Sequence, residues 1–247
     1  MVVIVALVGV SGCGGVRTQH AEESLEDLIA KNTAARGGAS AIESAHTVAI
    51  RLRITEPKFT VEGVYQATRA GRMRIDVFAN GTRVYSEGYD GKRAWQLAQG
   101  AAHAADASPS GAAALRHGLE LPTNLRGLHE MRARGHQLTL RGRELVDGTN
   151  YYVVELRLDD GFSTYLYVNP STYLIDRMRD IRALHPDTDP MTRWIEQRYE
   201  DFRTVEGRML AFKSSQVDLR TGQVMQTTAV LEVTTNPPLT EATFAPP

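Results

Sequence analysis

From Thr47 onward apolar and polar residues alternate: Val48, Ile50, Leu52 and Ile54 share one parity, and Thr47, Ala49, Arg51 and Arg53 share the other. Successive side chains of a strand point to opposite faces, so this period predicts a strand with one wet side. The period returns at 61–68, and again where Met73, Ile75 and Val77 alternate with Arg72, Arg74 and Asp76. Asn80-Gly81 follows, the strongest short hairpin signal, because a type I′ turn needs positive φ at both central residues. Further strands are predicted at 82–86 and 94–97, and from Gln137 onward. There Tyr152, Val154, Leu156 and Leu158 share a side, as do Phe162, Thr164, Leu166 and Val168. Runs at 174–182, 193–202, 209–219 and 223–233 complete about ten or eleven strands. Turns at Asp90-Gly91, Asp147-Gly148, Asp160-Gly161, Glu206-Gly207 and Thr221-Gly222 separate them, as in an antiparallel meander. The register predicts Ile50, Leu52, Ile75, Val77, Val154, Leu156, Leu166 and Val168 on one apolar, concave side. Arg51, Arg53, Arg72, Arg74 and Arg157 fall on the wet side.

Two stretches break this period. Ser24 with Asp27 reads as a capped helix start, Leu25, Leu28 and Ile29 share a helical face, and Gly37-Gly38 stops the helix. Ser40 to Glu43 repeats the capping pattern over one turn. Residues 98–134 are rich in alanine, with Ser108-Pro109 as cap and first helical residue. Leu115, Leu119, Leu125, Leu128 and Met131 predict helices broken near Pro122, an insertion that covers one end or one face of the sheet.

The chain opens with an apolar run at 2–10, too short to span a bilayer, and then Ser11-Gly12-Cys13. Those residues resemble the bacterial lipobox, in which the cysteine is acylated and becomes the new N-terminus. The expected organisation is a lipoprotein signal peptide at 1–12, lipidation at Cys13, a tether at 13–23 and one β-domain at 24–247. Gly14 is not the aspartate that retains such proteins at the inner membrane of enteric bacteria, and by that resemblance the outer membrane is favoured.

Composition excludes several classes. Apolar residues are 42% and charged ones 23%, with a formal net charge of −1 and no concentrated basic run, so no nucleic-acid partner is expected. A single cysteine leaves no intramolecular disulfide. The seven histidines show no ligand spacing, and Asp187 and Asp189 in the HPDTDP loop lack the EF-hand pattern, so no metal is expected. No nucleophile elbow, phosphate loop or dinucleotide fingerprint occurs, and neither catalytic residues nor a cofactor are expected. Trp95 and Trp194 are either ordinary strand aromatics or cavity-lining ones.

Four segments carry a resemblance: LIAKNTAARGGASAIESAHTVAIRLRI, GYDGKRAWQL, GRELVDGTNYYVVELRLDDGFSTYLYVNPSTYLIDRM and NPPLTEATFAPP. From about Ser24 to Pro247 the chain resembles the LolA/LolB-like outer-membrane lipoprotein-sorting superfamily. The resemblance implies a mainly β, α+β fold: an incomplete antiparallel β-barrel around a hydrophobic cavity, with an N-terminal helix and the 98–134 insertion as a helical lid. It implies a lipid-anchored envelope protein, a monomer on the periplasmic face of the outer membrane, that binds lipid or lipoprotein acyl chains for transfer or reception. The expected cavity residues are Ile50, Leu52, Ile75, Val77, Trp95, Leu115, Leu119, Val154, Leu156, Leu166 and Val168. An envelope-stress sensor or a module that binds an envelope protein partner is the alternative of another class, and an envelope hydrolase is a minor one. Physics agrees with a lipid ligand: an acyl chain gains roughly 0.8 kcal/mol per buried CH₂ and needs no polar motif.

Overall fold

The computed structural model describes residues 23–247; the apolar run, Cys13 and most of the expected tether lie outside the described residues. Strands β1 (Thr47–Glu56), β2 (Phe59–Thr68), β3 (Arg72–Ala79), β4 (Thr82–Tyr89), β5 (Ala94–Ala98) and β6 (Ala105–Asp106) form one meander. A second comprises β7 (Gln137–Val146), β8 (Thr149–Arg157), β9 (Ser163–Val168), β10 (Ile175–Arg182), β11 (Arg193–Val205), β12 (Arg208–Asp218) and β13 (Val224–Thr235). Pairing of β1 with β13 joins them into a single antiparallel sheet of thirteen strands, with β6 and β7 at its two edges. The sheet stays open. The count exceeds the expected ten or eleven partly because β6, two residues inside the insertion, is too short to show a period.

The turns behave as their dipeptides dictate. Asn80 and Gly81 both have positive φ (50° and 78°), as do Asp147 and Gly148 (48° and 83°). Helix α1 (Leu25–Ala35) has its full capping box: Ser24 Oγ accepts from Asp27 N at 3.1 Å, and the Asp27 carboxylate accepts from Ser24 N at 3.3 Å. Helix α2 (Ala39–Glu43) starts instead from Gly38, without a side-chain cap, so Ser40 lies inside the helix rather than at its head. In the insertion, α3 (Pro109–Glu120) is capped by Ser108, whose Oγ accepts from Gly111 N at 3.0 Å. The chain breaks at Leu121–Pro122, as the proline requires, and a 3-10 turn follows at Leu128–Glu130. A last short helix is α4 (Glu241–Phe244).

Both main helices pack on the same face of the sheet. Leu28 of α1, with Leu128 and Met131, closes over Val154, Leu156, Leu166, Val168 and Met178. Leu119 of α3, with Leu125, closes over Val48, Ile50, Ala67 and Met73. Each cluster excludes water from several large side chains, at about 1.5–3 kcal/mol apiece. The polar parity faces outward: Arg51, Arg53 and Arg157 are exposed, whereas Arg72 and Arg74 lie partly under α4.

Candidate functional site

Between the two apolar clusters lies the middle of the sheet, which neither α1 nor the buried side of α3 covers. A half-open cavity of about 570 Å³ occupies that gap. Its size falls within the roughly 300–1,000 Å³ of small-ligand pockets. Tyr65 of β2 and Phe162, just before β9, both line it although six inter-strand steps separate their strands. In a flat sheet those strands would lie roughly 29 Å apart. One cavity touching both requires the sheet to curl, so the face bearing the helices is its inner face.

The apolar part of the sheet wall includes Ile50 and Leu52 of β1, Tyr65, Met178 of β10, Tyr199 and Phe202 of β11, Met209 and Leu210 of β12, and Val230 of β13. Helix α3 supplies Ser110, Ala113, Ala114, His117 and Gly118, and Leu121 follows it. These positions form one stripe at helical spacing. Leu115 and Leu119 belong to the neighbouring stripe and pack on the cluster over β1–β3, so the lid presents small residues to the cavity rather than its leucines.

Of the eleven side chains expected to line a cavity, Ile50 and Leu52 do so. Val154, Leu156, Leu166 and Val168 face inward but are sealed beneath α1 in solid core. Ile75 packs in the cluster under α3, and Val77, farther along β3, is half-buried outside the cavity lining. Trp95 is a correction of face. It pairs with Gly88, which pairs with Arg74, and that parity is the outer one. There the indole is fully buried under the C-terminal segment and its Nε1 donates to the Phe244 carbonyl at 2.8 Å. Gly88 makes the room: a Cβ there would stand 2.7 Å from Trp95 Cζ2. Trp194 is exposed and lies outside the lining of this cavity.

Strap-like contacts hold α3 across the cavity. At its N-terminus, Asp187 Oδ1 accepts from Ser108 N at 2.6 Å, and Gly111 leaves space for that carboxylate. Asp189 is used separately, pairing with Arg193 at 3.1 Å. Midway, the His117 ring stacks on Phe162 with centroids 4.2 Å apart, and its Nε2 lies 2.7 Å from Asp160 Oδ2. Beyond its C-terminus, the Arg36 guanidinium donates to the carbonyls of Pro122 (3.1 Å), Arg126 (2.6 Å) and Thr123. Arg208 donates to the Asn124 carbonyl at 3.0 Å and to Thr235 Oγ1 at 2.8 Å.

The polar part of the cavity is rich in donors. Arg182 donates to both oxygens of Asp180 at 2.6 Å and to Gln216 at 3.0 Å. Burial pushes the Asp180 carboxyl up despite that partner. Burial also pushes the Tyr199 hydroxyl up to about 12, and burial together with the charge of Arg208 pushes Arg36 down to about 10. Hydrophobic periodicity does not point to these groups, because it selects the most apolar strands. The available signal was the opposite one: the inner positions of β11–β13 carry Gln197, Tyr199, Ser214, Gln216 and Thr228, where a solid core would be apolar. Among the described residues no three His, Cys, Asp or Glu side chains gather as a metal site would need.

Solved structures share this architecture. A LolA superfamily protein from Nitrosomonas europaea superposes with a TM-score of 0.56 at 16% identity, covering 89% of this chain and 96% of that one. A DUF1329 family protein from Desulfovibrio piger superposes with a TM-score of 0.57 at 15% identity, with the same coverage of both chains. The chain has a LolA/LolB-like fold. No family model matches its sequence, and no curated protein does. At such identity the likeness speaks for the LolA/LolB-like fold alone; the lining of the cavity is this chain's own.

Proposed function

We propose that this protein is a lipid-anchored envelope protein that holds an acyl chain of a lipid or lipoprotein in the cavity under α3, without catalysing a reaction. Cys13 is the attachment point, and the periplasmic face of the outer membrane is the place. The observation that carries the reading is the cavity itself: about 570 Å³, half-open, walled mainly by apolar side chains and bridged by a helix that shows it small residues. Such a wall gains from each methylene it takes out of water, whatever the cargo's identity. A LolA/LolB-like fold supports the reading because its open sheet leaves an apolar inner face that a lid or a ligand must cover.

Mass spectrometry of the purified protein, recorded under native conditions and again after delipidation, tests it. The expected result is a native mass one acyl-bearing lipid above the delipidated mass. A protein that leaves the envelope bare, and stays bare after incubation with a lipid extract, overturns the proposal.

A further inference from the structure

The cavity's charges point beyond a merely greasy ligand. Arg36, His117, Arg182 and Lys213 line it, and among the described residues no aspartate or glutamate does. Three of these four have an acid at hand: His117 has Asp160 (2.7 Å), Arg182 has Asp180 (2.6 Å) and Lys213 has Glu200 (2.8 Å). Arg36 is the exception. It is buried, among the described residues its guanidinium donates only to backbone carbonyls, and the nearby Glu130 is already taken by Arg69 at 2.5 Å. Arg208, also buried, likewise forms no ion pair among the described residues, and its Nε has no hydrogen-bond partner. Two guanidiniums without a carboxylate therefore hold the 122–124 segment beyond the C-terminus of α3, and Arg36 is the one of the two that lines the cavity. Removing charges from water is costly unless an opposite charge answers them, and hydrogen bonds to a charged group are worth more than neutral ones.

We propose that the ligand is an amphiphile with an anionic head, carboxylate or phosphate, whose head lies at the Arg36 end while its chain runs along Ile50, Leu52 and Tyr199. This rests on the acyl-binding reading and names its ligand class. The anion supplies the counter-charge that the fold itself withholds, and the apolar wall takes the chain.

The test uses the purified full-length protein loaded with a neutral naphthylamine dye, displaced by four amphiphiles of one chain length: dodecanoate, dodecyl phosphate, dodecanol and dodecylammonium. At least one anion should displace the dye roughly tenfold more tightly than dodecanol, and dodecylammonium should be the weakest. A preference for dodecanoate identifies a free fatty acid, and a preference for dodecyl phosphate identifies a phospholipid-type head. Equal displacement by all four overturns the charge inference while leaving acyl binding intact. Failure of all four to bind sinks the acyl-binding reading itself. Arg36→Gln should level the series. Because Arg36 also anchors the 122–126 carbonyls, that variant counts only if it folds, and the series in the unaltered protein decides without it.

Discussion

Glu196 shows how closely single residues on the outer face are matched. Its side chain is 1% exposed, and it accepts from Arg177 at 2.9 Å, Arg179 at 2.7 Å and Arg198 at 2.6 Å. Burial alone would raise its pKa, but the hydrogen bonds from Arg198 and Arg179 and the charges of Arg177 and Arg179 win, and it lies below its ordinary 4.5. A carboxyl with a depressed folded pKa stabilises fully above the unfolded value and loses that contribution as pH falls through the folded one. Glu196→Gln should therefore cost about 3–5 kcal/mol near neutrality, with the gap to the parent narrowing below pH 4.5. Urea unfolding at a series of pH values reads this directly, and a gap constant across the series would refute it. Gly88→Ala, which pushes a methyl against Trp95, should cost about 1–3 kcal/mol in the same assay. The position of Trp95 was not legible beforehand. Alternation in Ala94-Trp95-Gln96-Leu97 correctly marks an amphipathic strand, and hydrophobicity then assigns Trp95 inward. The inner face takes Gln96 and Glu87 instead, because the segment after β13 comes back to cover the outer side, and nothing local announces that return.

At the scale of elements, α3 is held at both ends and on one side, so its attachment can be loosened at one contact. The Asp187 carboxylate that receives Ser108 N acts as a second cap for the helix N-terminus. Losing a cap costs roughly 0.5–2 kcal/mol, and each 1.4 kcal/mol is about tenfold in an opening equilibrium. Asp187→Ala should speed amide hydrogen exchange across 109–120 by roughly tenfold and leave β8–β10 unchanged. Uniform acceleration of both regions would mean that the contact supports the whole fold rather than the strap. The existence, cap and break of this helix were readable from Ser108-Pro109 and Pro122. Its cavity-facing stripe was not, because seeking the largest apolar residues selects Leu115 and Leu119. Those two glue the helix to the sheet, which leaves the neighbouring stripe of Ser110, Ala113, Ala114 and His117 to face the cavity.

For the whole molecule, strand order, turns and polarity were largely legible because period two and the Asn-Gly and Asp-Gly dipeptides are local signals. The cavity was legible only in part. Its walls come from strands distant in sequence, and its apolar members Ile50 and Leu52 look no different from the positions sealed under α1; only the polar inner positions of β11–β13, such as Gln197, Ser214 and Thr228, mark the gap. Anchoring is a separate matter. An acylated Cys13 carrying three chains would exceed the two signals that stable attachment requires, so Cys13→Ser should shift the protein out of the membrane fraction as an unprocessed precursor. An unchanged mature size and membrane fraction would refute the lipobox reading. The central claim, that the gap in the middle of the sheet is an acyl site, is tested most directly by titrating a fluorescent fatty acid into the parent, Leu52→Trp and Leu231→Trp. Leu52 lines the cavity, whereas Leu231 is exposed and does not line it. The predicted result is saturable binding to the parent and to Leu231→Trp, weakened roughly tenfold or more in Leu52→Trp by the loss of buried methylene contacts. Equal binding to all three proteins would contradict it.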